Sequence, residues 1–408
     1  MAPKREIYMD HAAATPMDSR VLKAMSPYFG KISANASSLH SPGQAAYKAV
    51  VFARKSIAAV LNGHPDEIVF TSGGTGSDNL AIRGVLESAV PNLGWDGSTS
   101  KPHVITTAIE HHAVLEPLAH LQKIGAIQLT IIQPDKKGLI SADEVIKAIN
   151  PNTVLISVMY ANNEIGTIQP IAEIGKGLLK WRKANNSVLP YFHSDACQAA
   201  GYLDLNIEKL HVDLMTLNAG KIYGPKGVGL LFVRRGVRLS PVVRGGGQER
   251  GIRSGTENVP GIVGMAKALE LVQKDKEKES KRLGLLRDRL IDGLLRLPKS
   301  RLNGDADKRL PNNVNISFLD IEGEAAMLYL DAKGIACSTG SACASSSLDP
   351  SHVILALGMS YEAAHGSLRF TLGKSTTKAD VDYVIGAMPA IVEMLRKISP
   401  VTLDMKSF

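Results

Sequence analysis

The most constraining feature of the sequence is a regular alternation of short apolar runs and helical stretches between about residues 43 and 235. The apolar runs end in polar or glycine residues: EIVFTSGG, HVITTAIEHH, LTIIQPD, TVLISVMYANNE, YFHSDACQ and VDLMTLNAGK. Strands that alternate with amphipathic helices favour a mostly parallel sheet that is covered by helices on both faces. The sequence therefore predicts an α/β fold in this part of the chain.

The polar residues that close these runs are expected to converge. In open parallel sheets, ligands bind at the carboxyl ends of the strands, so residues that follow neighbouring strands share one crevice. These residues include Thr75, His111, Asn163, Asp195 and Lys221. The sequence thus predicts a single polar site at one edge of the sheet.

A second, smaller domain is expected after the glycine-rich segment RGGGQERGIRSGTENVPG. A long helical stretch from about residue 260 to 297 connects to it. The domain then contains NNVNISFL, the helical GEAAMLYLDAKG, the small-residue loop CSTGSACASSS and the strand-like GSLRFTLG. Thr377 and Asp380 have the spacing of a capping box and predict the start of a last helix.

Charge and hydropathy argue against several classes of protein. The net charge is +8, but Lys and Arg are spread along the chain, so a nucleic acid is not expected as the main partner. No segment reaches the ~18 to 20 apolar residues of a membrane span, and MAPKREIYMD lacks the apolar core of a secretory signal. The three cysteines cannot all pair, which fits a reducing compartment, so a cytoplasmic protein is expected.

Lys221 lies in the segment TLNAGKIYGPKGVG, where rigid backbone surrounds it. Gly220 allows a close backbone approach, and Gly224 with Pro225 predicts a fixed turn. Taken alone, Lys221 fits an ordinary surface lysine. A lysine held at a strand end in a cleft is suited to a Schiff base with a carbonyl cofactor, above all pyridoxal phosphate (PLP).

PLP requires a phosphate site, an acid beside its pyridine nitrogen and a group against its ring, and each has a candidate. TSGGTGSDN follows a predicted strand and opens a helix, so its backbone N–H groups and Thr75 are candidates for the phosphate. Asp195 is the candidate for the pyridine nitrogen, Gln198 for the ring oxygen and His111 for stacking or proton transfer. The alternatives are an ordinary strand-to-helix turn, a helix N-cap at Asp195 and a structural role for His111.

A nucleophile is predicted in the loop STGSACASSS. Small residues surround Cys343 there, and they neither bury it nor form a regular pattern, so its accessible thiol is suited to chemistry. Cys197 follows a strand and is expected in the core. A zinc site is disfavoured because no Cys-x-x-Cys pair or close His pair joins its possible ligands, Cys337, Cys343, His352 and His365.

Arg369 alternates with apolar neighbours in GSLRFTLG, the pattern of a strand with two different faces. On the cleft side, its guanidinium would bind a substrate carboxylate through two parallel hydrogen bonds. On the other side it would face the solvent. The pattern alone leaves both positions open.

The order of these motifs resembles that of the cysteine desulfurases, PLP enzymes of the class V aminotransferase group. The resemblance extends over nearly the whole chain, through IYMDHAAATP, TSGGTGSDN, IEHHAV, NNEIGTIQP, HSDACQAAG, GKIYGPKGVG, GGGQERGIRSGTEN, STGSACASSSLDPSHVILALG and SLRFTLG. The long cysteine loop is similar to that of the group I enzymes of nitrogen fixation and iron–sulfur assembly. The resemblance implies PLP-dependent transferase fold type I, with a mainly parallel seven-stranded sheet in a large domain at 17–260 and a small α+β domain at 1–16 and 261–408.

The resemblance also implies roles for individual residues. Lys221 would carry PLP as a Schiff base, His111 would stack on its ring and Cys343 would be the nucleophile. Asn163 and Arg369 would receive the substrate carboxylate, and no metal is implied. In a homodimer, Thr256 of the partner subunit would complete the cofactor site, whose implied residues are Gly74, Thr75, Asn163, Asp195, Gln198, Asn218, Lys221 and Thr256.

The implied reaction removes sulfur from L-cysteine and gives L-alanine and a persulfide on Cys343. The sulfur then passes to an acceptor, such as an iron–sulfur scaffold protein or the tRNA-thiolation system. Two alternatives stay open: a selenocysteine lyase or another class V PLP enzyme, and a non-catalytic sulfur-relay scaffold. The chain departs from the family at Gly76, which replaces an acidic residue, at Ala14, which replaces a threonine, and at Asn218 and Gly220, which replace a serine and a histidine.

Overall fold

The computed structural model of the chain describes residues 6–89, 101–339 and 349–408. The strands are β1 (Ile7–Tyr8), β2 (Ile68–Thr71), β3 (His103–Thr107), β4 (Gln128–Ile132), β5 (Thr153–Ser157), β6 (Tyr191–Asp195), β7 (Leu214–Asn218), β8 (Gly229–Val233), β9 (Ser300–Leu302), β10 (Asn313–Phe318), β11 (Ile335–Ala336) and β12 (Ser367–Thr371). The helices are α1 (Ser19–Met25), α2 (Ser41–Leu61), α3 (Gly74–Ala89), α4 (His112–Lys123), α5 (Ala142–Lys147), α6 (Ile171–Ala184), α7 (Ile207–Leu210), α8 (Val259–Leu294), α9 (Gly323–Ala332), α10 (His352–Ala356), α11 (Tyr361–His365) and α12 (Lys378–Ile398).

The largest sheet in the described part of the chain has seven strands in the order β2-β8-β7-β6-β5-β3-β4. Strand β8 runs antiparallel to both of its neighbours, and the other pairs are parallel. Every residue of β5 is buried, as expected for a central strand that helices cover on both faces. The predicted mainly parallel sheet of fold type I is confirmed.

Helix α2 shows how local periodicity places a helix on this sheet. Its buried residues recur at intervals of three and four, so they share one face of the helix. The predicted long connector is also confirmed, since α8 is a single helix of 36 residues. Its first half packs in the large core and its second half in the smaller one. The buried stripe of α2 includes Ala46, Val50, Ala53, Ile57 and Leu61.

The smaller domain is built on an antiparallel sheet with the order β12-β10-β9. Its last helix, α12, begins with the predicted capping box, in which Thr377 and Asp380 bond reciprocally. Ile7 and Met9, near the start of the chain, belong to the same hydrophobic cluster as β10 and β12. This contact supports our proposed division of the chain into a large domain at 17–260 and a small domain at 1–16 and 261–408.

The N-terminal segment after β1 joins the two domains at the site. Thr371, at the end of β12, donates its N–H to the carbonyl of Met9 over 2.7 Å. Six residues further along, Thr15 donates its N–H to the carbonyl of Gly220 over 3.0 Å. The segment between Met9 and Thr15 therefore fixes β12 relative to the turn that holds Lys221. Within the described ranges, the helices lack the length and apolar character that crossing a membrane requires.

Candidate active site

The polar residues predicted to converge do follow strands that end at the same edge of the large sheet. Gly74 begins α3 after β2, and His111 is the N-cap of α4 after β3. Asp195 is the last residue of β6, and Lys221 lies in the turn after β7. Since β2, β3, β6 and β7 run in the same direction, their carboxyl ends meet at one edge.

A cavity of about 280 Å³ lies between the start of α3 and the turn that holds Lys221. The first N–H groups of α3 have no partners within the helix and carry its positive dipole end, so they suit a phosphate. A Cβ at Gly74 would lie 3.0 Å from the sulfur of Cys197, a tight contact that a larger residue would form only if Cys197 shifted. The cavity is lined by Ala13, Ala14, Ser72, Gly73, Gly74, Thr75, Gly76, Asn218, Gly220, Lys221, Lys226 and Gly227.

Lys221 is held by backbone from the other end of the chain. Its Nζ donates hydrogen bonds to the carbonyls of Ala12, at 2.8 Å, and Ala13, at 2.7 Å. The hydroxyl of Thr15 donates to the carbonyl of Gly220 and accepts the N–H of Tyr223, which fixes the turn around the lysine. The amine is thus aimed at the mouth of the cavity by contacts that the sequence analysis did not identify.

Asp195 and Gln198 lie beside this lysine. Asp195 is buried, and its Oδ1 accepts the N–H of Cys197 over 2.9 Å. The residues after Asp195 form turns and not a helix, so the helix N-cap alternative for Asp195 is wrong; its Oδ1 closes a turn instead. Gln198 donates its Nε2 to the carbonyl of Ala12 over 3.0 Å, the same carbonyl that holds Lys221.

His111 caps α4 and faces the same site. Its Nδ1 accepts the N–H of Ala113 over 3.0 Å, an assignment under which Nε2 carries the proton of the neutral ring. Burial lowers the pKa of His111, and the nearby Lys221 lowers it further, whereas Asp195 acts in the opposite direction. A neutral, half-buried imidazole at this point suits stacking against an aromatic cofactor.

Arg369 is buried, so the solvent-facing alternative for this residue is wrong. Its guanidinium donates to Oδ1 of Asp10 at 2.8 Å and to the carbonyl of Asn163 at 3.1 Å. Among the described residues, its Nε has no hydrogen-bond partner. An incoming carboxylate would thus find a fixed, desolvated guanidinium beside Asn163, although it would compete with Asp10.

The residues present fit PLP. The start of α3 offers a phosphate site, Lys221 an amine for the aldehyde, and Asp195 a carboxylate for the pyridine nitrogen. The buried and unpaired Nε of Arg369 offers a further donor for the carboxylate of an amino acid. These groups point to a site for an amino acid bound against a phosphorylated carbonyl cofactor.

Of the predicted site residues, Gly74, Thr75, Asn218 and Lys221 line the cavity beside α3, and Thr256 does not. Thr256 lines a separate cavity of about 110 Å³, which it shares with Ser72 and Gly227. Cys343 lies outside the described residues. Cys197 and Cys337 are buried free thiols, which confirms the core position expected for Cys197. In the ranges 6–89, 101–339 and 349–408, no three His, Cys, Asp or Glu side chains are grouped to hold a metal ion.

Three buried acids near the site were not found by sequence reasoning. Burial raises the pKa of Asp78 well above its ordinary value, with nearby Asp195 as a second cause. It also raises the pKa of Glu110 to about 8 and that of Glu164 to about 7. Their neighbours in the sequence resemble those of ordinary helix and turn residues, so only burial distinguishes them.

The whole chain is similar to known PLP enzymes. Residues 7–384 match the family "Aminotransferase class-V". A protein named cysteine desulfurase IscS from Methanosarcina thermophila is 48% identical over 398 residues, which cover 98% of this chain and 95% of that protein. A protein of the same name from Dictyoglomus turgidum is 46% identical over 404 residues, covering 99% and 98% of the two chains.

Solved structures give the same result. A structure described as a NifS-like protein has a TM-score of 0.86 and 35% identity, and the match covers 97% of this chain and all of that one. The NifS-like protein of Rickettsia africae has a TM-score of 0.82 and 29% identity, with 95% of this chain covered and 100% of that one. The site geometry and these relatives lead to one conclusion: the chain belongs to the cysteine desulfurases of the class V aminotransferase family.

Proposed function

We propose that this protein uses PLP to remove sulfur from L-cysteine, giving L-alanine and a persulfide on Cys343. The observation that carries the proposal is the amine of Lys221, which two backbone carbonyls hold beside the phosphate-binding start of α3. When bound, PLP supplies an aldehyde that bonds to amines and a pyridine ring that accepts electrons. The protein itself then has to bind and orient the substrate and the cofactor, and it has to move protons.

Each of these tasks has a residue. Asp195 would hold a proton on the pyridine nitrogen, and the neutral ring of His111 would pack against the cofactor. Arg369 and Asn163 would bind the carboxylate of L-cysteine. Lys221, once its amine is free, would move a proton at the substrate Cα, a role that requires a neutral amine within a dry site.

Cys343 is the proposed sulfur acceptor. It would lose its thiol proton and attack Sγ of L-cysteine, so that an S–S bond forms while the Cβ–Sγ bond breaks. The electron pair left on Cβ takes up a proton, and the product is L-alanine. An ordinary thiol with a pKa of about 8.5 is only slightly ionised at neutral pH, so a proton acceptor is part of this step.

A pair of variants tests this assignment. Lys221→Ala should abolish covalent attachment of PLP, which is followed by the absorbance of the bound cofactor. Cys343→Ser should retain that absorbance and lose persulfide formation and alanine release. Release of sulfide from L-cysteine at the normal rate by Cys343→Ser would refute the assignment.

The same assay separates the alternatives. A selenocysteine lyase would release alanine faster from selenocysteine than from L-cysteine, and another class V enzyme would prefer a different amino acid. A non-catalytic sulfur-relay scaffold would release alanine from neither. The convergence of Lys221, Asp195 and Arg369 on one site argues against a scaffold, since sulfur relay alone requires none of them.

We further propose a homodimer in which Thr256 acts on the cofactor of the partner subunit. Thr256 lines a separate cavity, and two large apolar side chains are exposed elsewhere, Leu39 before α2 at 91% and Phe52 within α2 at 75%. Burial of these two side chains against a second copy would explain why they are exposed on the single chain. Mixed dimers of Lys221→Ala and Thr256→Ala chains should regain activity, because one site then has both residues intact. No gain over the parent dimers would contradict the shared site.

The fate of the sulfur and the location of the enzyme are proposals of the same kind. We propose transfer from Cys343 to an acceptor protein such as an iron–sulfur scaffold, within the cytoplasm. The buried free thiols of Cys197 and Cys337 are compatible with a reducing compartment. Transfer of labelled sulfur from the purified protein to candidate acceptors would identify the recipient.

A further inference from the structure

The phosphate-binding cavity has no side chain at position 220, where the chain has a glycine. Gly220 lines the cavity together with the start of α3 and leaves room there for a larger side chain. A Cβ on Gly220 would lie 3.5 Å from Oδ1 of Asn218 and 3.6 Å from Cγ of Lys226. The space that an imidazole would enter is therefore bordered by the stem of Lys226.

Asn218 borders the space at Gly220 with a neutral amide. Its Oδ1 accepts the N–H of Gly220 over 3.0 Å, so its orientation is fixed. Its Nδ2 then faces α3, at 3.5 Å from the position of a Cβ on Gly74. This amide can donate a neutral hydrogen bond to a phosphate at that point, but it brings no positive charge.

Lys226 is the cation that this cavity offers beyond Lys221. It lines the cavity together with Gly74, Thr75 and Gly76. Its backbone is fixed by Pro225 on one side and by Gly227, with a φ of +77°, on the other. Its ammonium makes no hydrogen bond or ion pair with any residue in the described part of the chain, and the side chain is exposed.

We propose that Lys226 binds the phosphate of the cofactor and supplies a positive charge beside the space that Gly220 leaves. A phosphate monoester carries a charge of about −1.5 to −2 at neutral pH, and an ammonium on a flexible stem is a common partner for it. Gly220 adds no side chain to the cavity that Lys226 and the start of α3 both line. This inference rests on the proposed function, since it assumes that PLP is the cofactor.

The test compares Lys226→Gln with the unchanged protein. The full-length protein is freed of cofactor by dialysis against L-cysteine and then titrated with PLP or with pyridoxal, which lacks the phosphate. Lys226→Gln should weaken PLP binding about tenfold, the effect of one charge-assisted contact, and should leave pyridoxal binding unchanged. Lys226→Arg, which retains the charge, should recover most of the PLP affinity. Lys180→Gln, an exposed lysine on α6 outside the cavity, is the matched control.

A second comparison tests the link to Gly220. In a Gly220→His protein, where an imidazole enters the same space, Lys226→Gln should change PLP affinity by much less than tenfold. The 3.5 Å and 3.6 Å spacings at Gly220 are ordinary van der Waals distances, so the new side chain is expected to fit. Non-additive effects of the two substitutions would support a shared position.

The outcomes separate this inference from the proposed function. Equal PLP affinities for Lys226→Gln and the unchanged protein would overturn the inference, as would an equal loss of pyridoxal binding. In either case, a protein that still binds PLP and releases alanine from L-cysteine would leave the proposed function intact. Failure of the unchanged protein to bind PLP would refute both.

Discussion

Replacing Glu164 by Gln should remove a loss of stability that sets in between mildly acidic and neutral pH. Glu164 is 4% exposed, and its Oε2 accepts a hydrogen bond from the hydroxyl of Ser351. Burial raises the pKa of its carboxyl to about 7, while Ser351, Arg369 and His112 act in the opposite direction but do not cancel it. The folded protein therefore retains this proton over a range of pH in which the unfolded chain has lost it.

The sign follows from this difference in bound protons. Between the ordinary pKa of 4.5 and the folded pKa of about 7, the folded state binds more protons than the unfolded state, so stability falls as pH rises. Below this window the carboxyl has no effect, and above it the loss is complete. A pKa difference of this size corresponds to about 3 kcal/mol in the free energy of unfolding. Glu164→Gln retains an acceptor for Ser351 and does not titrate.

The assay is urea unfolding at fixed protein and PLP concentrations at pH 5 and pH 8. Glu164→Gln and the unchanged protein should have similar free energies of unfolding at pH 5, and the variant should be more stable by about 3 kcal/mol at pH 8. Glu144→Gln, on the exposed side of α5, is the control for loss of a carboxylate. A constant difference between Glu164→Gln and the unchanged protein at the two pH values would refute the reasoning.

Three further predictions concern other parts of the molecule. Glu249→Gln should destabilise the protein by about 3 kcal/mol in urea unfolding. The carboxylate of Glu249 forms an ion pair with Arg54, whose guanidinium would lose its counter-charge. An unchanged urea midpoint would contradict this prediction. Gly373→Ala should lower the free energy of unfolding by about 2 kcal/mol, because the new Cβ would lie 2.0 Å from Nε2 of His11. Gly386→Ala, on the open face of α12, should raise it by about 0.5 kcal/mol. Asp195→Asn should lower kcat for alanine release about 100-fold while PLP stays bound, because the carboxylate proposed to pair with the pyridine nitrogen is lost. A kcat within a few fold of normal would exclude the proposed role.

Much of the architecture could be predicted because it depends on residues that are close in the sequence. The alternation of apolar runs and amphipathic stretches predicts the parallel sheet, and the capping pair Thr377 and Asp380 predicts the start of α12. The closing residues of the runs also predict that Thr75, Asp195 and Lys221 share one edge of the sheet. These signals extend over a few residues or one strand, so they can be recognised without knowledge of the rest of the chain.

The sequence by itself thus determined the fold class, the edge that carries the site and the amine at its centre. Only the tertiary structure decided which distant groups complete that site. Nζ of Lys221 donates a hydrogen bond to the carbonyl of Ala13, 208 positions away, and Arg369 donates one to Asp10, 359 positions away. The periodicity of the sequence cannot identify such pairs, because the two partners are separated by long stretches of chain. The fold brings them together and buries polar groups, which then need hydrogen-bond partners. The raised pKa of Glu164 has the same origin, since a carboxyl acquires it from the burial that the folded chain imposes.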